Sequence, residues 1–252
     1  MSSTLEAAAP PAPGGPLSLW ERTLRVFARP FRAWDGLETS VQWWFPVLVL
    51  LALQGILLAL TYHRVLLPTM LEQWNQAVES GQMQPAQLDK ISSFFSNSPY
   101  ALLLIVGQQV VVVFIIILLV ALVAWFGVGF VLGTKISYRL ALEVVGWAGF
   151  VRLPETLVTF AIGWSQETFK GIHLGLAALL PPEDTPSKLH VGLSVLLDAV
   201  GPFSIWYLFV AVIGCSALSG APRKSVAWVL IALYLALTAI FAAVAAFMAP
   251  GA

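Results

Sequence analysis

The longest apolar stretch of this chain, residues 100–132, contains no charged side chain. As a helix rising 1.5 Å per residue it would measure about 50 Å, whereas the hydrocarbon core of a bilayer is about 30 Å thick. Its Val and Ile tract at 110–117 favours a strand by propensity, but a lone strand leaves its backbone unpaired in lipid. The stretch therefore predicts a membrane helix that tilts, bends or protrudes.

The whole chain has the composition of a membrane protein. Its 252 residues are 59% hydrophobic and 10% charged, whereas soluble domains carry about 25% charged residues. So few charges could not cover the surface of a soluble fold. The formal net charge of zero argues against nucleic acid as a partner, because affinity for nucleic acid depends on basic residues that neutralise phosphates.

Five apolar stretches predict five spans, at about 43–62, 104–130, 140–164, 202–219 and 226–248. Between them, residues 63–99 and 188–199 repeat apolar side chains at helical spacing. Residues 63–99 predict two short amphipathic helices that lie against the membrane or the bundle, and residues 188–199 predict another at the interface. We therefore expect an all-α, polytopic membrane helical bundle that forms one domain over residues 38–250. Residues 1–16, rich in Ala, Pro and Gly, are expected to be disordered.

Residues 17–37 predict an amphipathic helix that lies in the plane of the membrane surface. Apolar residues repeat every three or four positions along one face, at Trp20, Leu24, Phe27, Phe31 and Trp34. Arginines fall on the opposite face, toward anionic headgroups, at Arg22, Arg25, Arg29 and Arg32. Pro30 should kink or split this helix. The alternative is a plain basic segment that only sets the topology.

Basic residues set the expected orientation. Four arginines precede the first span, and the two short turns between spans carry Lys135 with Arg139 and Arg223 with Lys224. The two long loops carry more acidic than basic residues. The positive-inside rule then places the N-terminus in the cytoplasm and the C-terminus outside.

Three motifs follow one another near the C-terminus: Pro202-Phe203-Ser204-Ile205-Trp206, then Val212-Ile213-Gly214, then the basic turn Arg223-Lys224-Ser225. This order resembles the C-terminal signature of the Yip family, the Rab-interacting-protein-like membrane proteins. Pro30-Phe31-Arg32-Ala33 before the first span and Ser137-Tyr138 with Pro154 in the third resemble further family segments.

The resemblance covers about residues 25–248 and implies a five-span fold. Eukaryotic members of the family are linked to vesicle traffic and Rab GTPases. The long polar loops of this chain resemble those of bacterial members, for which the resemblance implies a fold and a location in the cytoplasmic membrane but no known activity.

The third predicted span is the most polar and carries the candidate intramembrane site. Arg152 and Glu155 lie three residues apart and can pair on one helix face, while Pro154 interrupts the helical hydrogen bonds. Together with Gln108 and Gln109 of the second span they would form a solute or proton site. The alternative is an internal ion pair that holds a kinked helix in the bundle.

Other polar residues have structural interpretations. Glu143 is expected to pair with Arg139 near the interface, and Asp198 is expected to cap the helix that begins at Pro202. The three histidines lack the spacing of a helical metal site: His63, His173 and His190. The chain has no H-E-x-x-H motif, phosphate loop or recognisable catalytic set, so neither a metal nor a cofactor is expected.

These observations predict a non-enzymatic, Yip-like integral membrane protein embedded in the lipid bilayer. Its expected role is that of a scaffold or interaction partner of other membrane proteins, or of a second copy of itself. The alternative is a small transporter or channel-like subunit that uses the polar groups of the third span.

Overall fold

The computed structural model describes residues 17–181, 183 and 187–249. Within these ranges the chain forms helices and no strand; the segment 1–16, predicted to be disordered, lies outside them. The α-helices are α1 Leu19–Ala28, α2 Trp44–Thr61, α3 Leu67–Glu79, α4 Pro85–Asn97, α5 Pro99–Trp125, α6 Tyr138–Gly149, α7 Leu153–Gln166, α8 Lys188–Asp198, α9 Pro202–Ser219 and α10 Arg223–Met248.

Four helical stretches of the described chain are long and apolar enough to cross a bilayer: Trp44–Glu79, Pro99–Val131, Pro202–Ser219 and Arg223–Met248. The first two are longer than their α-helices because each contains a wide, π-helical turn, at Tyr62–Leu66 and Phe126–Val131. The predicted all-α membrane bundle is therefore confirmed. The second span is the long helix that the charge-free stretch predicted.

The predicted count of five continuous spans is wrong, because the third is interrupted. α6 and α7 are separated by a 3-10 turn at Phe150–Arg152, where Pro154 removes a backbone donor from the helical pattern. The two helices nevertheless run parallel to α2 along its length. Glu143 accepts a hydrogen bond from the Gln42 backbone N–H (2.7 Å) at one end, and Glu167 pairs with Arg64 (3.1 Å) at the other.

Two predicted interfacial elements are placed differently by the structure. α3 continues directly from α2 instead of forming a separate helix. α8 packs along α10, where a Cβ added to Gly192 would lie 3.2 Å from the Ala246 side chain and where the Tyr234 hydroxyl donates to the Ala199 carbonyl (2.9 Å). The apolar side of residues 188–199 therefore packs against another helix, whereas the amphipathic pattern predicted a position at the membrane interface.

The main core lies at the end of the bundle that α1 contacts, here called the α1 end. Trp147 is fully buried there, with ring centroids 5.8 Å from Phe45 and 5.6 Å from Phe150. Trp34 is also buried and lies flat against α9, so close that a Cβ added to Gly214 would be 2.7 Å from its ring. A glycine at 214 therefore allows the chain after α1 to dock.

We expect Gly214→Ala to lower the free energy of unfolding by about 1–3 kcal/mol, because the added methyl group overpacks this contact. Gly107→Ala is the matched control, since its added Cβ has nothing within 4 Å and alanine has the higher helix propensity. Thermal unfolding in detergent can be followed by dye labelling of Cys215, the only cysteine and a buried one. Equal midpoints for the two variants would contradict the proposed contact.

Candidate functional site

Arg22 anchors α1 to the bundle. Its side chain is fully buried; the guanidinium donates to the carbonyl oxygens of Ala33 and Asp35 and, through Nε, to Oε1 of Gln42 (2.8 Å). The guanidinium carbon also lies 5.7 Å from the centroid of a Trp147 ring. The prediction that Arg22 faces lipid headgroups is wrong, because the chain that follows α1 folds back and surrounds it with carbonyl groups.

Burial also changes the acidity of this guanidinium. Desolvation lowers the pKa of Arg22 to about 10, while the nearby carboxylates of Glu143 and Asp35 oppose that shift. Arg22 is therefore still charged at neutral pH, and a buried charge must be hydrogen-bonded to be tolerated. The planar guanidinium directs N–H groups at three acceptors that lie on different sides of it, whereas the donors of a lysine all radiate from one nitrogen.

The rest of the 19–37 segment divides into an exposed and a buried part. Four members of the predicted apolar stripe are exposed: Trp20, Leu24, Phe27 and Phe31. Trp34, the fifth, is buried against α9 and does not face lipid. Among the arginines, Arg29 and Arg32 are exposed, and Arg25 pairs with Glu21 (2.6 Å). The predicted split at Pro30 occurs, since α1 ends at Ala28 and a 3-10 turn begins at Pro30.

The basic turns gather at the α1 end beside this segment. Arg139 donates to backbone carbonyls of residues 37, 38 and 40 at 2.9–3.1 Å and lies 3.8 Å from the fully buried carboxylate of Glu143. Arg223 stacks 4.8 Å over the Phe31 ring. Lys135 and Lys224 are exposed. The expected Arg139 and Glu143 pair therefore forms, with its carboxylate inside the protein and not at the interface.

A cavity of about 820 Å³ occupies the other part of the bundle. Seven helices contribute to its lining, from α2 and α5 through α10, together with residues of the 169–175 loop. This volume is in the range of small-molecule sites, about 300–1,000 Å³. The cavity is therefore large enough to hold a ligand.

The structure brings Arg152 and Glu155 together on the cavity wall. Two hydrogen bonds join them, from Nε to Oε2 (2.8 Å) and from Nη2 to Oε1 (3.2 Å). About half of the arginine side chain and a fifth of the glutamate side chain remain exposed, at 48% and 22%. The pair is thus an internal ion pair and a part of the cavity surface at the same time.

Of the two glutamines predicted to share a site with this ion pair, only one lines the cavity. Gln109 lines the cavity, whereas Gln108 is exposed on another face of α5 and is not in the lining. Consecutive helical residues point about 100° apart, and Gln108 falls on the side of α5 that is turned away from the cavity. The prediction for Gln108 is therefore wrong.

Asp198 does not cap α9 as predicted. It is the last residue of α8, and its Oδ2 lies 2.6 Å from Nδ1 of His173, while Gly201 is the residue that precedes α9. The bond ties the loop after α7 to the end of α8. His190 in turn lies 3.1 Å from Glu183, and the described residues contain no cluster of His, Cys, Asp and Glu that could hold a metal ion.

The sequence analysis does not propose several neutral polar residues of the lining as site residues: Gln54, Thr156, Thr159, Ser204, Tyr207, Tyr234 and Thr238. A signal existed in α9, where Ser204, Tyr207, Ala211 and Cys215 are spaced by three or four residues and share one face. In an apolar helix this spacing is also typical of plain packing. The pattern alone therefore does not distinguish a site from ordinary helix packing, whereas the cavity does.

Comparison with known families identifies one match. The family model described as Yip1 domain matches residues 24–246, which include the exposed stripe from Leu24 onward, the cavity, three spanning helices and all but the last two residues of the fourth. A search of curated proteins returns no match. A search of solved structures returns none either.

We expect Arg22→Lys to release the 19–37 segment, because an ammonium cannot replace the three directed hydrogen bonds of the guanidinium. The loss of even one charged hydrogen bond should lower the free energy of unfolding by at least about 1.5 kcal/mol. Limited trypsin digestion should then cleave after Arg25 or Arg32 faster. Arg29→Lys, at an exposed position on the same segment, serves as control. Equal digestion rates in the two variants would refute the anchoring role.

Proposed function

The chain belongs to the Yip1 domain family of multi-pass membrane proteins, and we propose that it acts there without catalysis, by associating with other membrane proteins or with a second copy of itself. The observation that supports this proposal is the anchored 19–37 segment. It presents an aromatic stripe outward while Arg22 fixes its backbone to the core. A rigid, exposed apolar surface loses little entropy when a partner binds it.

The partner surface extends from this segment onto α9. A shallow groove is formed by Arg29, Phe31 and Arg32 on one side and by Trp206 and Phe209 on the other. Phe31 and Phe209 meet edge to face, with centroids 6.1 Å apart. Aromatic residues and arginine are the side chains most enriched in binding hot spots, so the groove suits an apolar transmembrane or juxtamembrane segment with an acidic residue.

A photo-crosslinking amino acid in place of Trp20 or Leu24 should yield one adduct of reproducible mass in membranes. The same amino acid at Leu103, an equally exposed residue of α5, should not yield it. An adduct of twice the chain mass would identify a second copy as the partner. Adducts with lipid alone from both positions of the segment would count against association through this surface.

We further propose that the α1 end faces the cytoplasm of a bacterium and that the C-terminus lies outside. Three basic segments that are distant in sequence support this orientation, because Arg139 and Arg223 both contact the 19–37 segment. The positive-inside rule assigns such an end to the cytoplasm. The interrupted α6–α7 pair counts as one crossing in this topology, since it runs the length of α2.

Single cysteines test this orientation in a Cys215→Ala background. Cysteines at Ser80, Ser187 and the C-terminus should react with an impermeant thiol reagent applied to intact cells. A cysteine at Ser225 should react only after the membrane is opened. Labelling of Ser225→Cys in intact cells would reverse the assignment.

The cavity favours a second candidate function, that of a small transporter or channel-like subunit. Arg152, Glu155 and Gln109 all line the same space. Ionisable side chains within spanning segments commonly mark substrate or proton pathways. In this candidate function the Arg152 and Glu155 pair would lie on the route of a solute or proton.

Proteoliposomes provide the test of transport. Proton or solute flux should be lost in Arg152→Ala and retained in Arg64→Ala, whose arginine pairs with Glu167 and is absent from the cavity lining. If the unsubstituted protein passes none of a panel of ions and small solutes, or if Arg152→Ala conducts as well as the control, this candidate is set aside.

A further inference from the structure

Two interrupted helices border the cavity. α6 and α7 are separated at Phe150–Arg152, and α8 and α9 are separated at residues 199–201. The first interruption contacts α9, and Arg152, Ala199 and Ser204 all line the cavity. Within a membrane, non-helical backbone is tolerated only where it is buried in protein or lines a polar cavity. Both interruptions are therefore parts of the cavity wall.

The second interruption is held by backbone packed against backbone. Leu176 N–H donates to the Val200 carbonyl (3.1 Å), and a Cβ added to Gly175 would lie 2.7 Å from the Cα and the carbonyl oxygen of Asp198. A Cβ added to Gly201 would lie 3.2 Å from the Gly175 Cα. This packing fixes the position of the first turn of α9 relative to the cavity.

Ser204, in that first turn, faces the cavity with a free hydroxyl. Its side chain is only 3% exposed and lines the cavity. Whereas the hydroxyls of Ser194 and Ser216 donate to backbone carbonyls, that of Ser204 has no hydrogen-bond partner among the described residues. The hydroxyl is therefore available to bond a polar group of a ligand in the cavity.

Most charged groups of the lining already have partners. Arg152 is bonded twice to Glu155, and Asp198 is bonded through Oδ2 to His173. Oδ1 of Asp198 is buried without a partner among the described residues, so it can accept a hydrogen bond from a ligand hydroxyl. No unpaired cation of the described residues is in the lining. An anionic ligand would have to break the Arg152 and Glu155 pair or remain uncompensated in a low-dielectric site, and both are costly. A quaternary ammonium carries no N–H that could donate to Asp198 Oδ1, so a neutral hydroxyl suits that oxygen better.

The wall contributed by α5 and α2 is mainly aliphatic, with Gln54, Thr61 and Gln109 as its polar members. α5 contributes Val113, Ile116, Ile117, Val120 and Val123, and α2 contributes Leu50, Leu57 and Leu58. These side chains offer only dispersion contacts and the burial of apolar surface. The cavity is therefore amphipathic, with most of its polar groups near the helix interruptions and a mainly hydrocarbon surface along α5 and α2.

We propose that this cavity binds an uncharged amphiphile, whose hydroxyl or carbonyl head group bonds to Ser204 and whose hydrocarbon chains lie along α5. The inference deepens the second candidate function by naming its ligand class. It requires binding only: a failure of the flux experiment would leave it intact, and a failure of ligand binding would not by itself remove proton flux.

Three probes with the same acyl chains provide the test. They are dioctanoylglycerol, which is neutral, dioctanoylphosphatidic acid, which is anionic, and a dioctanoyl lipid with a trimethylammonium head. Native mass spectrometry of the full-length protein measures how much of each is retained at equal concentration. We expect dioctanoylglycerol to be retained about tenfold better than either charged probe, and glycerol alone not to displace it.

Two substitutions link this preference to the named residues. Ser204→Ala should weaken dioctanoylglycerol retention about tenfold, the size of one lost hydrogen bond, whereas Ser165→Ala should not, because its hydroxyl bonds within its own helix. Glu155→Gln removes the partner of Arg152 and should shift the preference toward phosphatidic acid. Glu72→Gln, which leaves Lys170 without its partner outside the cavity, should not shift it.

The proposal would be overturned by equal retention of all three probes, which would indicate unselective lipid, or by better retention of a charged probe in the unsubstituted protein. Displacement of dioctanoylglycerol by glycerol would show that the aliphatic wall does not contribute to binding. An unchanged preference in Glu155→Gln, with the protein still folded by thermal unfolding, would remove the role of charge pairing.

Discussion

The arrangement of this protein depends on one constraint, that every backbone polar group within a bilayer must find a partner inside the protein. Uninterrupted helices satisfy it locally, and four stretches of the described chain do so. The α6–α7 and α8–α9 junctions do not, and each is enclosed by other elements. Their enclosure explains why the bundle contains a cavity with polar groups at the depth of the interruptions, and why glycine occupies positions 175 and 201.

The α1 end meets the same constraint with side chains instead of helices. The backbone after α1 is irregular, and its carbonyls bond to Arg22 and Arg139. Glu143, buried between them, accepts the Gln42 N–H. The buried Arg22, the partly buried Arg139 and the buried Glu143 thus satisfy backbone groups of this segment as the hydrogen bonds of a helix do elsewhere. Each arginine makes three hydrogen bonds to oxygen atoms, which offsets part of the cost of desolvation.

Hydropathy and residue spacing predicted most of the fold, because both report the local match between a helix and lipid. The spans, the split at Pro30 and the pairing of Arg152 with Glu155 all follow from residues close in sequence. The burial of Arg22 and Trp34 could not be predicted this way. Both depend on a chain reversal after α1 and on a glycine at 214. The periodicity of residues 17–37 reveals neither the reversal nor the contact with that glycine.

The candidate site was less predictable than the fold for a related reason. Its charged members attract notice in an apolar sequence, whereas Ser204 and Tyr207 look like ordinary residues of a spanning helix. Gln108 shows the opposite error, a residue assigned to the site that does not belong to it. Adjacent polar residues suggest one site, although a helix points their side chains in different directions. Only the assembly of seven helices around one space selects which polar residues act together.

The close approach of Gly175 and Gly201 limits how these positions can evolve. At Gly149 an added methyl group would meet the tip of the Leu50 side chain, which a second substitution could shorten, so descendants can exchange residues there in pairs. At Gly175 and Gly201 the obstacle is main chain, which every amino acid possesses. No compensating substitution nearby can make room, and both glycines should persist in any lineage that keeps the α8–α9 junction.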